Sequence, residues 1–230
     1  MDKKWLFPDA LKSRGIKNYN LFNWILGNLL VPLGICISTK SGFGLSMIGA
    51  GPYIVHVWLR DTWAWFTQGT AEYVYEFFVM VIVCIIVRQC KFKYLVVFLE
   101  ALITGFIIDG WFLLFGGNGV YASMGLRIIC MFLGLAVTGL GVAFFFRTSL
   151  PLQAYDFAVI KITDTYSLPQ KKVKLATDWI LFIIALTLSL LLTGRLTGIG
   201  IGTVLTTILN AHVIDFWGKY IDRFEKKEKK

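Results

Sequence analysis

Glu100 stands well inside a long apolar run, and a carboxylate in such a place is costly enough to be a functional candidate by default. Thr104 follows it one helical turn later on the same face. Near the end of the chain Thr203, Thr206, Thr207 and Asn210 form a second polar stripe at helical spacing, again inside an apolar run. Two helices presenting such stripes at comparable depth would line a polar cavity able to bind a solute. The alternative is plain: Ser, Thr and Asn are also ordinary glue between membrane helices. His212 is the one histidine in a predicted span, open to proton-coupled chemistry or to a simple hydrogen bond with Asp215 three residues on. Asp109 and Asp215 occupy matching places near the ends of their runs and read as interfacial or symmetry-related structural groups. Ser46 and His56 lie in one broken segment; Gln153, Tyr155 and Asp156 lie in another. Asp156 precedes Phe157-Ala-Val-Ile and so reads equally as a helix N-cap or as part of a solute site.

These groups do not assemble a catalytic set. Gly198, Gly200 and Gly202 follow no strand and lack the dinucleotide-binding spacing, and no lysine follows them in phosphate-loop fashion. The four cysteines, Cys36, Cys84, Cys90 and Cys130, show no paired spacing and no adjacent histidines, so neither a metal nor a disulfide framework is expected. We expect no enzyme activity, no cofactor and no metal.

The scaffold that must hold these residues follows from composition. The chain has 230 residues, 57% of them apolar and 16% charged, with a mean hydropathy of +0.68. Soluble domains average ~45–50% apolar and ~25% charged residues, so a single membrane domain is expected. Six stretches approach the ~20 residues a spanning helix needs: Leu21–Thr39, Ala71–Val87, Tyr94–Phe115, Val120–Phe146, Leu175–Thr193 and Ile199–Phe216. The second carries Glu72 and Glu76 early, which predicts an interfacial first turn. The expected layout is a basic cytoplasmic segment at 1–20, a membrane domain at 21–217 and a basic cytoplasmic tail at 218–230.

Net charge is +9, and the basic residues cluster between apolar runs rather than along one stripe, which excludes a nucleic-acid partner and points to lipid. If both termini are inside, 19 of the 23 Lys and Arg residues fall on the inner face, and only Lys40, Arg60, Arg127 and Arg195 lie outside. That asymmetry orients the protein in a bacterial inner membrane with cytoplasmic termini.

An internal repeat appears at an offset of about 106 residues. Leu99, Ile108, Asp109 and Trp111 align with Leu205, Ile214, Asp215 and Trp217; Gly27, Leu33 and Gly34 align with Gly134, Leu140 and Gly141. Asp61-Thr62 aligns with Asp164-Thr165, and Glu72 with Asp178. Repeat 1 covers about 21–117 and repeat 2 about 120–217. Three crossings in each make the second half inverted relative to the first. Each half also contains a segment too long for a turn and too broken for a span, 42–70 and 148–174, either re-entrant or flat in the interface. The expected fold is therefore all-α: six transmembrane helices as two inverted three-helix repeats, each with a broken or re-entrant segment.

Gly44-Leu-Ser46 with Pro52-Tyr53, Pro151 with Asp156, and Gly198-Ile-Gly-Ile-Gly202-Thr203 together resemble the YczE-like branch of the YczE/YyaS/YitT-like bacterial membrane proteins. The resemblance runs from about Asn23 to Trp217. It implies a six-span protein and assigns no definite activity.

The function expected from these features is a permease or facilitator for a small solute, with Glu100, Thr104, Thr203, Asn210, His212, Ser46, Gln153 and Asp156 at the repeat interface. Two other classes stay open: a non-transporting membrane partner or scaffold subunit, and the substrate-binding subunit of a multi-component importer. A homo-oligomer or a protein partner is compatible with each.

Overall fold

The computed structural model describes residues 20–88, 95–117, 119–148 and 150–227. The basic amino-terminal segment with Trp5, the Cys90–Lys93 stretch and the last three residues lie outside these. Among the described residues every regular element is helical.

Eight helices follow in order: α1 (Asn20–Ser41), α2 (Met47–Leu59), α3 (Gln68–Val87), α4 (Leu95–Leu114), α5 (Met124–Phe145), α6 (Ala154–Tyr166), α7 (Gln170–Leu188) and α8 (Ile201–Lys227). A π-helical turn, Ser189–Thr193, extends α7. Five helices are long and apolar enough to cross a membrane: α1, α3, α4, α5 and α7 with its π turn. The sixth expected span, α8, is long enough at 27 residues but carries Thr203, Thr206, Thr207, Asn210, His212 and Asp215 along its length. It also runs beyond the expected end at Phe216. Arg147 at the end of α5 holds Asp222 at 2.8 Å, and the rings of Trp217, Tyr220 and Phe224 pack one against the next.

The surface is apolar and the interior holds the polar groups, the reverse of a soluble fold. Phe78, Ile85, Phe106, Leu113, Phe132, Ile183 and Leu191 are exposed, whereas Glu72, Glu76, Glu100, Asp156, Lys174 and Asp178 are each at most 2% exposed. Such an outer face is matched to hydrocarbon, where apolar surface carries no penalty and polar groups must turn inward. The chain is a multi-pass membrane protein.

α1 and α5 form the central pair. Gly27, Gly34, Gly134 and Gly141 lie on their seam, and a β-carbon on any of them would collide with the opposite helix. Small residues let two backbones approach, and here they set the crossing. After α1, Gly42 (φ 64°) and Gly44 (φ 107°) turn the chain back on itself, and Gly44 rests directly on Thr203, where no side chain would fit. The 13-residue helices α2 and α6 are too short to span ~30 Å. α2 packs between α3 and α7, and α6 packs between the same two helices. The first turn of α6 meets Glu76 and Thr104 in the middle of α3 and α4, so this segment reaches the centre of the bundle rather than lying flat against it.

Candidate functional site

Three helices bring one polar stripe each to the start of α6. On α3, Gln68, Glu72 and Glu76 recur every fourth residue and so share one face. The sequence expectation of an interfacial first turn is corrected here: all three are buried, because that face is turned toward α6 rather than toward water. The Glu76 carboxylate accepts a hydrogen bond from the Ala154 N–H at 3.0 Å. It thereby satisfies one of the orphan donors at a helix start.

α4 contributes Glu100 and Thr104, both buried. The Thr104 hydroxyl donates to Asn28 Oδ1 on α1 at 3.4 Å and accepts from Gln153 Nε2 at 3.1 Å. Asn28 in turn donates to the Trp24 carbonyl, and the Trp24 indole donates to Pro151 O at 2.9 Å. A continuous polar thread thus joins α1, α4 and the approach to α6.

The carboxyl-terminal half supplies an ionic cluster. The Lys174 ammonium stands 3.2 Å from Asp178 and 3.6 Å from Asp156, and Asn210 Nδ2 donates to Asp178 at 3.3 Å. All four are buried. Asp156 is therefore not the cap of α6; Gln153 holds that position, and the Asp156 side chain turns to Lys174.

The acidic groups outnumber the basic ones. Glu72, Glu76, Glu100, Asp156 and Asp178 face one buried ammonium, Lys174. Several buried atoms make no hydrogen bond: both Glu72 oxygens, Glu76 Oε1, Glu100 Oε1, both ends of the Gln68 amide, Gln153 Oε1 and the Tyr155 hydroxyl. Tyr155 is fully buried beside Glu72, yet the two complete no hydrogen bond of good geometry. Buried polar groups are ordinarily satisfied; here Lys174 Nζ, both Asp156 oxygens, Asp178 Oδ1 and Asn210 Oδ1 join the same set of buried atoms without a hydrogen bond. Among the described residues no group of three or more His, Cys, Asp or Glu is arranged to hold a metal ion.

A family model matches residues 16–219, nearly the whole chain and every helix above. The chain belongs to the family of unknown function DUF6198. This DUF6198 protein is also 27% identical over 198 residues to the uncharacterized protein YyaS of Bacillus subtilis (strain 168), across 86% of this chain and 92% of that one. The YczE/YyaS/YitT-like resemblance read from the motifs agrees with both matches. No solved structure matches the chain.

Of the residues singled out in sequence, this DUF6198 chain brings Glu100, Thr104, Gln153, Asp156 and Asn210 into the buried polar core. Ser46 is buried at the start of α2 and Thr203 at the start of α8, beside Gly44 and Gly200. His212 is exposed on the outer face of α8, with Nδ1 3.1 Å from the Ile208 carbonyl, and Asp215 accepts from Lys219 at 2.7 Å. The expected His212–Asp215 hydrogen bond gives way because both are served by their own helix. Asp109 accepts from the Thr67 hydroxyl and the Gly69 N–H, tying α4 to the start of α3, a structural role. Sequence reasoning missed Gln68, Glu72, Glu76, Lys174 and Asp178 as site residues, although their every-fourth-residue spacing was visible.

Proposed function

We propose that this protein is a non-enzymatic permease for a small solute, built as two inverted repeats with the solute site where α6 meets α3, α4 and α7. The observation that carries the reading is a matched pair of hydrogen bonds. The Trp111 indole donates to the Leu29 carbonyl at 3.1 Å, and the Trp217 indole donates to the Ala136 carbonyl, also at 3.1 Å. Donors and acceptors are related by nearly the same offset in sequence, 106 and 107 residues.

Other contacts support the same relation. Phe43 N–H bonds the Ser41 hydroxyl, and Leu150 N–H bonds the Thr148 hydroxyl, both at 3.2 Å. Lys40 reaches Gly117 after α4, and Arg147 reaches Asp222 near the end of α8. Gly27 meets Phe145 as Gly134 meets Ser38, and Gly34 meets Thr138 as Gly141 meets Val31. The short helices α2 and α6 begin after Ser46 and Gln153, 107 residues apart. Each repeat then holds three long helices and one half-helix. An odd number of crossings inverts the second repeat, an arrangement used by transporters whose site lies at mid-depth between the halves. The basic residues orient it in a bacterial inner membrane with cytoplasmic termini.

The test is flux. Proteoliposomes holding the purified protein, challenged with cationic, neutral and anionic small solutes, are expected to show saturable uptake of one class. Glu100→Gln should lower that uptake while leaving thermal unfolding nearly unchanged, whereas Asn210→Leu, which also removes the donor to Asp178, should lower both. Uptake of no solute, together with a protein that copurifies stoichiometrically, would favour a scaffold or importer subunit instead.

A further inference from the structure

Resting on the inverted-repeat reading, the two halves differ at one instructive place. In repeat 2 the carboxylate of Asp178 has Lys174 one turn before it on α7, and the ammonium sits 3.2 Å away. The counterparts in repeat 1, about 106 residues earlier, are Glu72 and Gln68 on α3. The acid is retained and the cation is replaced by a neutral amide. Both Glu72 oxygens and both polar atoms of Gln68 are buried without a hydrogen-bond partner. Asp156, the second carboxylate on Lys174, has Gly49 as its counterpart. Repeat 1 carries its second carboxylate on Glu76 instead, one turn beyond Glu72 on the same face of α3. The Tyr155 hydroxyl, fully buried beside Glu72, is open as well.

We infer that the ligand of this protein is a small ammonium cation, a primary amine in its charged form, bound between Glu72 and Glu76 where the Lys174 ammonium would fall under the pseudo-twofold. Hydrogen bonding points the same way as the symmetry. The open atoms around Glu72 are acceptors or amphoteric groups, two carboxylates, an amide and a phenol, and an ammonium brings three donors to them. An anion would meet the carboxyl groups of Glu72 and Glu76 with no buried cation beside them, Lys174 being held by Asp156 and Asp178. A neutral solute of the same size brings fewer donors to these atoms. The mode of binding has a precedent in the molecule itself: Lys174 is a tethered ammonium 3.2 Å from Asp178 and 3.6 Å from Asp156.

The experiment uses the purified full-length protein in lipid nanodiscs and methylammonium chloride as probe, with sodium chloride at equal ionic strength as the control. Methylammonium is expected to raise the unfolding temperature saturably, since a ligand of the native state stabilises it; the control salt is not. Glu72→Gln should weaken methylammonium binding at least tenfold, and Glu76→Gln supplies the same reading if the first variant does not fold. Gln68→Lys restores in repeat 1 the tethered cation of repeat 2. It should raise the unfolding temperature without probe and abolish the response to it. No saturable shift, an equal shift with sodium chloride, or wild-type affinity in the Glu72 and Glu76 variants would overturn the inference. Radiolabelled methylammonium flux separates it from the permease reading. Binding without flux keeps the ammonium site and sinks transport, whereas saturable flux of a neutral or anionic solute without methylammonium binding sinks the ammonium site alone.

Discussion

Gly34 of α1 rests on Thr138 of α5 so closely that a β-carbon on the glycine would collide with the threonine hydroxyl and backbone. Its counterpart Gly141 lies as tightly against Val31, where the added carbon would stand 2.7 Å from a methyl group. Neither glycine has a positive φ, so the requirement is one of space rather than of backbone conformation. Gly34→Val and Gly141→Val should each destabilise the protein by roughly 1–3 kcal/mol, the usual effect of overpacking a close helix crossing. Urea or detergent unfolding of the purified variants measures this. A loss confined to one of the two would show that the seam is not shared equally by the halves.

Lys174 supports two buried carboxylates at once. Removing a single partner from a buried ionic cluster leaves uncompensated charge, which costs about 3–5 kcal/mol. Lys174→Met is therefore expected to be severely destabilising or to prevent folding. Combining it with Asp156→Asn and Asp178→Asn should recover much of the loss, because the charges that needed the ammonium are gone. The unfolding midpoints of the single and triple variants decide it: a triple variant no better than the single one would mean that Lys174 acts through packing rather than charge.

Much of this architecture was legible in the chain. Apolar run lengths placed α1, α3, α4 and α5 to within a few residues, and glycines near Gly44 and Pro151 marked the approaches to the two half-helices. Glu100, Thr104 and Asn210 were found because polar residues inside apolar runs are conspicuous, and Gln153 and Asp156 because they open a segment too broken for a span. Lys174 and Glu72 were not, because they sit near the predicted ends of their runs, where a charge is explained by water or headgroups alone. Which way such a residue faces depends on the partner helix, here α6, whose start lies about 80 residues from Glu76 in sequence and 3.0 Å from it in space. His212 shows the opposite error. Its spacing from Asp215 suggested a hydrogen bond between the two, but His212 is exposed on a face of α8 that no described residue covers, and exposure follows from packing rather than from local sequence.

The bond from Ala154 N–H to Glu76 separates capping from charge. Glu76→Gln keeps an acceptor oxygen for the N–H, whereas Glu76→Ala removes it and leaves a buried donor unsatisfied. The alanine variant should unfold more easily than the glutamine variant by about 1–2 kcal/mol, in line with the loss of a helix N-terminal cap. Thermal or denaturant unfolding of the two side by side is the measurement. Equal stabilities would mean that the carboxylate does not hold the start of α6 in solution.

Asp61 and Ser167 mark opposite ends of α3. Asp61 precedes the helix, in the exposed turn after α2, while Ser167 follows Tyr166, whose hydroxyl donates to the Ile86 carbonyl at the far end of α3, 2.9 Å away. If α3 crosses the bilayer, the two residues lie on different sides. In the proposed orientation, which rests on the excess of Lys and Arg, Ser167 is cytoplasmic and Asp61 is outside. With Cys36, Cys84, Cys90 and Cys130 replaced by serine or alanine, Asp61→Cys should react with a membrane-impermeant maleimide on intact cells. Ser167→Cys should react only after permeabilisation. Reversed labelling would invert the orientation and leave the helix arrangement untouched. Labelling of both from outside would mean that α3 does not cross, and the three-crossing repeat, with the inversion that follows from it, would fall.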